Sequence, residues 1–142
     1  MKEFRFDYLR YPITSTKGKI SDYVCRPVIS IDLVCGDKTV TFDALIDSGA
    51  DHCTFPGWAA KKLGHDIFSG TERIFKGIGG TAVSYMHKTI IKLQDVEIDA
   101  DVFYSHDWDS MPFGLLGQNG FFSVFDVTFS MRDEFVLLKY RD

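Results

Sequence analysis

The chain has 142 residues, 45% of them hydrophobic and 25% charged, with 20 acidic residues against 16 basic ones and a formal charge of −4. That length and balance fit one folded domain over 1–142 with a core of its own, and exclude a disordered chain. No basic run occurs, which argues against a nucleic-acid partner, whose phosphates need clustered Lys and Arg.

The first stretch, MKEFRFDYLRYPITSTKG, alternates apolar and charged residues without an unbroken apolar run, so it reads as neither a secretory signal nor a membrane anchor. No segment reaches the ~18–20 apolar residues of a membrane-spanning helix, and no membrane partner is expected. Strand-like alternation appears at FRFDYL, RPVISIDLVCG, KTVTFDALID and HKTIIKLQDVEIDADVFY, and returns at FDVTFS and EFVLLKY. GDKT and SMRDE are hairpin turn signals. Thirteen phenylalanines favour the same β-rich reading. Two short helices are predicted. One runs from about Pro56 to Leu63, with Pro at its start and Gly64 as its stop, and the other from about Asn119 to Phe125. Cys25, Cys35 and Cys53 form neither an even disulfide set nor a CxxC pair, and are expected to be reduced, buried thiols of a cytoplasmic protein.

One position breaks the pattern. The run Val40, Phe42, Ala44, Ile46 buries alternate side chains and then ends on Asp47, followed by Ser48, Gly49, Ala50 and Asp51. An unpaired buried carboxylate costs several kcal/mol or takes up a proton, so Asp47 calls for a chemical use and a partner. Two further segments stand out: the glycine-rich KGIGGTAVSY, where Gly77, Gly79 and Gly80 flank Ile78, and FGLLGQNGFF, with Leu115 and Leu116 before Gly117. Each alone has a bland reading, as an Asx turn, a hairpin tip and a strand running into a cap.

Taken in order, the three segments resemble the retropepsin-like aspartic proteases, the single-domain relatives of the retroviral proteases. The resemblance spans roughly Arg26 to Phe129. It implies an all-β, closed-barrel fold with a flap hairpin and one or two short helices. It also implies that Asp47 is the catalytic carboxylate in a loop shaped by Ser48, Gly49 and Ala50. Asp51 and the flap residues Gly77, Ile78, Gly79 and Gly80 would meet a peptide substrate. The chain holds one D-[ST]-G, so half an active site; the second carboxylate is expected from Asp47 of another copy in a C2 homodimer. No metal and no cofactor is implied. One departure is plain: where such proteases commonly carry Arg after the apolar-apolar-Gly motif, this chain has Gln118, which cannot form a bidentate ion pair.

Other chemistries fit less well. A cysteine hydrolase on Cys53 with His52, His65, His87 or His106 lacks a nucleophile context, and adjacent His52 and Cys53 on extended chain point to opposite faces. Asp51, His52, Cys53 and SHDWDS (Ser105 to Ser110) show no metal-ligand spacing and read as a solvated acidic loop. GIGG lacks the GK[ST] and helix of a phosphate site. The rival that remains is a retropepsin-fold dimerisation or peptide-binding module with weak or absent proteolysis.

Overall fold

The computed structural model describes residues 2–77 and 80–141. In chain order its strands are β1 (Lys2–Asp7), β2 (Leu9–Thr14), β3 (Ile20–Arg26), β4 (Val28–Cys35), β5 (Lys38–Ile46) and β6 (Cys53–Pro56). After the helix α1 (Gly57–Lys62) come β7 (Thr71–Gly77), β8 (Gly80–Leu93), β9 (Val96–Ser105), β10 (Gly114–Leu116), β11 (Phe125–Ser130) and β12 (Phe135–Tyr140). Single 3-10 turns occupy Ile67–Ser69 and His106–Trp108. No helix among the described residues is long and apolar enough to cross a membrane.

The main sheet has the order β4-β5-β10-β6-β9-β8-β7, and a further pairing of β4 with β8 joins its far ends. Six strands therefore pair in a closed circuit, with β7 outside it. The circuit encloses a core in which β4 contributes Ile29, Ile31 and Leu33, β5 contributes Phe42, Ala44 and Ile46, and β9 contributes Ile98, Ala100 and Val102. Their spacing of two is the alternation visible in the sequence. A second sheet, β1-β12-β11, joins the two ends of the chain, and its Phe125, Val136 and Leu138 belong to the same apolar cluster.

Both turn signals are hairpins. Cys35↔Lys38 closes one with Gly36 at φ 60°, and Ser130↔Phe135 closes the other with Glu134 at φ 57°. The long alternating run HKTIIKLQDVEIDADVFY is two strands, because Gln94 takes φ 53° and Leu93 pairs with Val96. Across the two-residue turn the buried positions shift from odd (Ile91, Leu93) to even (Val96, Ile98), because directly opposed residues share a face.

The first predicted helix forms as α1, capped by Pro56 and ended by Gly64 at φ 82°, with Lys61 and Lys62 in its last turn where the helix dipole favours cations. The second does not form. From Gln118 to Val124 the chain makes successive turns: the Ser123 N–H reaches back to the Gln118 carbonyl at 3.0 Å, and Gly120 takes φ 106°. A left-handed residue interrupts a helix, and Phe125 is already committed to its pairing with Tyr140. Sequence reading also overlooks the β2–β3 hairpin, where Pro12 argues against a strand; β2 tolerates it with β3 as its one strand neighbour.

Beneath the β7–β8 hairpin the rings of His65 and His87 stack with centroids 4.5 Å apart. His87 Nε2 donates to the Ile67 carbonyl at 2.8 Å. His65 Nε2 meets Thr89 Oγ1 at 3.2 Å, which in turn meets the buried Tyr104 hydroxyl at 2.8 Å. Burial, and then the neighbouring His87, hold the His65 pKa below its ordinary value, while burial raises that of Tyr104. As pH falls below about 6.5 the unfolded chain takes up this proton before the folded one does, so stability is present above that pH and lost on descending toward the folded pKa. The melting temperature is expected to fall from pH 7 to pH 5, and to fall less steeply in His65→Gln; equal slopes in a thermal scan series would remove His65 as a source.

Candidate active site

β5 and β6 are consecutive in sequence yet are not neighbours in the sheet. β10 lies between them, parallel to β5 (Leu116↔Ile46) and antiparallel to β6 (Leu115↔Thr54). The chain leaving β5 must therefore cross the end of β10, and the crossing loop is Asp47 to His52. Residues just past β10 run under that loop and lace it down. The Asp47 N–H donates to the Leu116 carbonyl at 3.0 Å, Gln118 N–H to the Ala50 carbonyl at 2.8 Å, and Asn119 N–H to the Asp51 carbonyl at 2.9 Å. The buried Gly117 sits at the crossing. A Cβ there would stand 2.5 Å from the Ala50 carbonyl oxygen, so this backbone approach admits glycine alone.

Inside the loop, Asp47 is half-buried and its Oδ1 accepts the Gly49 N–H at 2.9 Å. A Cβ on Gly49 would be 3.3 Å from that oxygen, so the glycine is there for close approach. Ser48 is exposed, and its carbonyl accepts a hydrogen bond from Gln118 Nε2 at 2.5 Å. Gln118 thus ties the loop by a neutral hydrogen bond at the place where an arginine pair is common. Asp51 is exposed and makes no ion pair among the described residues.

Over this loop stands the β7–β8 hairpin, paired from Thr71↔Met86 to Gly77↔Gly80, with Gly80 at φ 120°. The expected flap residues Gly77 and Gly80 are its last pair; Ile78 and Gly79 lie outside the described residues. A hollow of about 240 Å³ separates loop and hairpin. Gly49, Ala50 and Asp51 border it from the loop, Phe75, Ala82 and Ser84 from the hairpin, Thr54 and Leu115 from the ring, and Trp108 from the 3-10 turn after β9. His52 joins the two sides, its ring 4.6 Å from that of Phe103 and 5.9 Å from that of Phe75.

The hairpin has a defined root. β8 pairs with β9 up to Tyr85↔Tyr104, and beyond that β9 ends. Side chains continue its edge. Ser105 Oγ donates to the Val83 carbonyl at 2.6 Å, and the Asp107 carboxylate accepts the Val83 N–H at 2.9 Å. Asp109 likewise accepts the Trp58 N–H at the start of α1 and the His106 ring N–H at 2.8 Å. Two carboxylates of the SHDWDS segment, expected to be merely solvated, therefore hold backbone and ring groups. The only signal for this was an acidic stretch directly after a strand.

The cysteine-hydrolase reading finds no support among the described residues. Cys53 is fully buried, its S–H faces the Asn119 carbonyl at 3.6 Å, and burial pushes its thiol up to about 11, far from a nucleophile's range. The His52 ring packs at a tilt against Phe103 and Phe75.

Residues 31–119, more than half of the chain, match the family described as aspartyl protease. The chain belongs to that aspartyl protease family. Its fold is all-β and retropepsin-like. It is similar to the crystal structure of a retropepsin-like aspartic protease from Rickettsia conorii, with a TM-score of 0.61 and 15% identity, covering 97% of this chain and 99% of that one. It is also similar to the EIAV protease complexed with the inhibitor HBY-793, with a TM-score of 0.50 and 18% identity, covering 75% of this chain and 88% of that one. No curated protein matches the chain.

Two outcomes follow from this geometry. Gly117→Ala forces backbone apart at the crossing, at about 1–3 kcal/mol, and should lower the melting temperature by roughly 3–15 °C; an unchanged transition would contradict the crowding. Asp107→Ala should speed amide exchange at Val83 and toward the hairpin tip while Ile91 and Leu93 stay protected, since only the root loses an acceptor.

Proposed function

We propose that the chain is an aspartic endopeptidase that works as a homodimer, with Asp47 of each copy supplying one of two catalytic carboxylates. The observation that carries this reading is the placement of Asp47. It is the one D-S-G aspartate in the sequence, and it sits in a loop pinned from below by Gly117 and roofed by a glycine-ended hairpin. The family supports the same chemistry.

In that dimer the two carboxylates share one proton, because like charges in contact cannot both ionise. The ionised one takes a proton from a water as its oxygen attacks the scissile carbonyl carbon. The protonated one hydrogen-bonds to, and then protonates, the carbonyl oxygen. Collapse of the tetrahedral species returns a proton to the leaving nitrogen and breaks the C–N bond. Gly49 N–H holds the Asp47 oxygen in place, and Ser48 is positioned to reach the other copy's loop. An extended peptide lies in the hollow beneath the hairpin, which Asp51 borders and where its carboxylate accepts from the peptide backbone; Gly77, Ile78, Gly79 and Gly80 are proposed as further substrate contacts. The unit is one domain over 1–142 and needs neither metal nor cofactor. Its three free thiols suit a reducing cytoplasm.

Asp47→Asn is expected to lower turnover by ~10³-fold, about 4 kcal/mol, with the fold retained. Cleavage of a peptide library from acidic to neutral pH, with and without an aspartyl-protease inhibitor, measures this. Wild-type turnover in a clean mutant preparation would refute the assignment, and no inhibitor-sensitive cleavage by the wild type would favour a peptide-binding module. Specific activity is also expected to rise with protein concentration and then level off, as mass action fills the dimer.

A further inference from the structure

The β2–β3 hairpin is a two-stranded sheet on its own, and among the described residues no other strand pairs with it. Such a ribbon is marginally stable in water unless one face is covered. Beyond a bulge Ile20 pairs with Thr14 on one face, while the register places Leu9, Tyr11, Ile13 and Val24 on the other. Near the root that face is covered by its own chain: the Tyr11 ring meets Phe113 edge-on at 5.9 Å, and the Arg26 guanidinium lies over both rings. Toward the tip both faces carry bare apolar side chains, Ile13 46% exposed on one and Ile20 58% exposed on the other. Of the eight large apolar residues exposed among the described residues, four (Leu9, Ile13, Ile20, Tyr23) belong to this arm.

Charge and position add to this. Arg10, Lys17, Lys19 and Arg26 stand against Asp22 alone, so the arm carries +3 within a chain of −4, leaving −7 on the remainder. Lys17 and Lys19 are at the tip turn, which Ser15 organises by accepting both of their N–H groups. The arm leaves the ring at the end that carries Asp47. Val28 at the start of β4 pairs with Leu45, and the Pro27 carbonyl accepts the Ile46 N–H at 2.9 Å, one residue before Asp47.

We infer that this arm is a clasp for a second copy of the chain, its bare apolar tip and basic turn seating on the acidic body of the other subunit. The inference rests on the two-chain active site proposed above. A basic, partly apolar arm rooted beside a half-site finds a complementary surface on an identical chain, and C2 symmetry forms the contact twice.

The test compares the wild type with Ile13→Ser/Ile20→Ser and with Lys17→Glu/Lys19→Glu by sedimentation velocity and by activity against concentration. All four side chains are exposed, so melting temperatures should match the wild type. Both double variants are expected to dimerise at least tenfold more weakly. Their activity curves should shift to higher concentration by the same factor and reach the wild-type plateau. A wild type that dimerises alongside variants that dimerise equally well overturns the clasp and leaves the two-chain site standing. A wild type fully active as a monomer overturns both. Binding of the wild-type arm to phosphatidylserine vesicles with dimerisation unchanged in the variants would assign the arm to an anionic surface and overturn the clasp.

Discussion

The structure depends on one place where two stretches of backbone cross without side chains between them. The Asp47 to His52 loop lies across Leu116 to Asn119, and three main-chain hydrogen bonds hold the crossing. Its geometry follows from strand order, because β10 separates β5 from β6 and obliges the connection to pass over. A side chain at Gly117 would wedge the layers apart, and Asp47 would lose the Leu116 carbonyl that fixes its backbone. The Asp47 backbone is thus fixed against a strand end, and its carboxylate is held by the Gly49 N–H of the same pinned loop.

β8 performs a second kind of joining. Its C-terminal half is a ring strand, paired with β9 and, through Asp32↔Lys92 to Val34↔Ile90, with β4. Its N-terminal half belongs to the hairpin above the candidate site. The change of role falls at Val83, where the β9 edge is continued by a hydroxyl and a carboxylate instead of by main chain. Two hydrogen bonds of this kind give net stabilisation of about 1 kcal/mol each, much less than a continuing strand with its side-chain packing. The hairpin root is therefore held less firmly than the core below it, whose Ile91 and Leu93 are fully enclosed.

Much of this was legible in the sequence, and the reasons are physical. Period-two alternation marks β4, β5, β9 and β12 because each has one face in the core, and the α1 boundaries carry their own Pro56 and Gly64 signals. The D-S-G-A loop and Leu115-Leu116-Gly117 were readable as a pair through a family resemblance, and the crowding that demands glycine at their crossing is visible only in the fold. Asn119 to Phe125 misled because a short apolar run has no decisive period, and its outcome turned on tertiary pairing of Phe125 with Tyr140. Asp107 and Ser105 were invisible as site residues, because their role is to complete the edge of a strand distant in sequence. The arm was hidden for a related reason: an uncovered ribbon shows no clean burial pattern.

The replacement of an arginine by Gln118 gains meaning from this arrangement. An ion pair between that position and Asp51 would stiffen the loop and attract across a subunit boundary with one group, and both effects would weaken with salt and acid. Here the loop is stiffened within its own chain by an amide donating to the Ser48 carbonyl, an interaction that has no charge to screen or titrate. Asp51 is left without an ion pair among the described residues, on the border of the hollow where a peptide N–H would approach. Loop geometry is thereby separated from subunit attraction. On the two-chain reading, attraction must come from surfaces away from the crossing, and the basic arm rooted beside it is the part of the chain with both the charge and the bare apolar area to supply it.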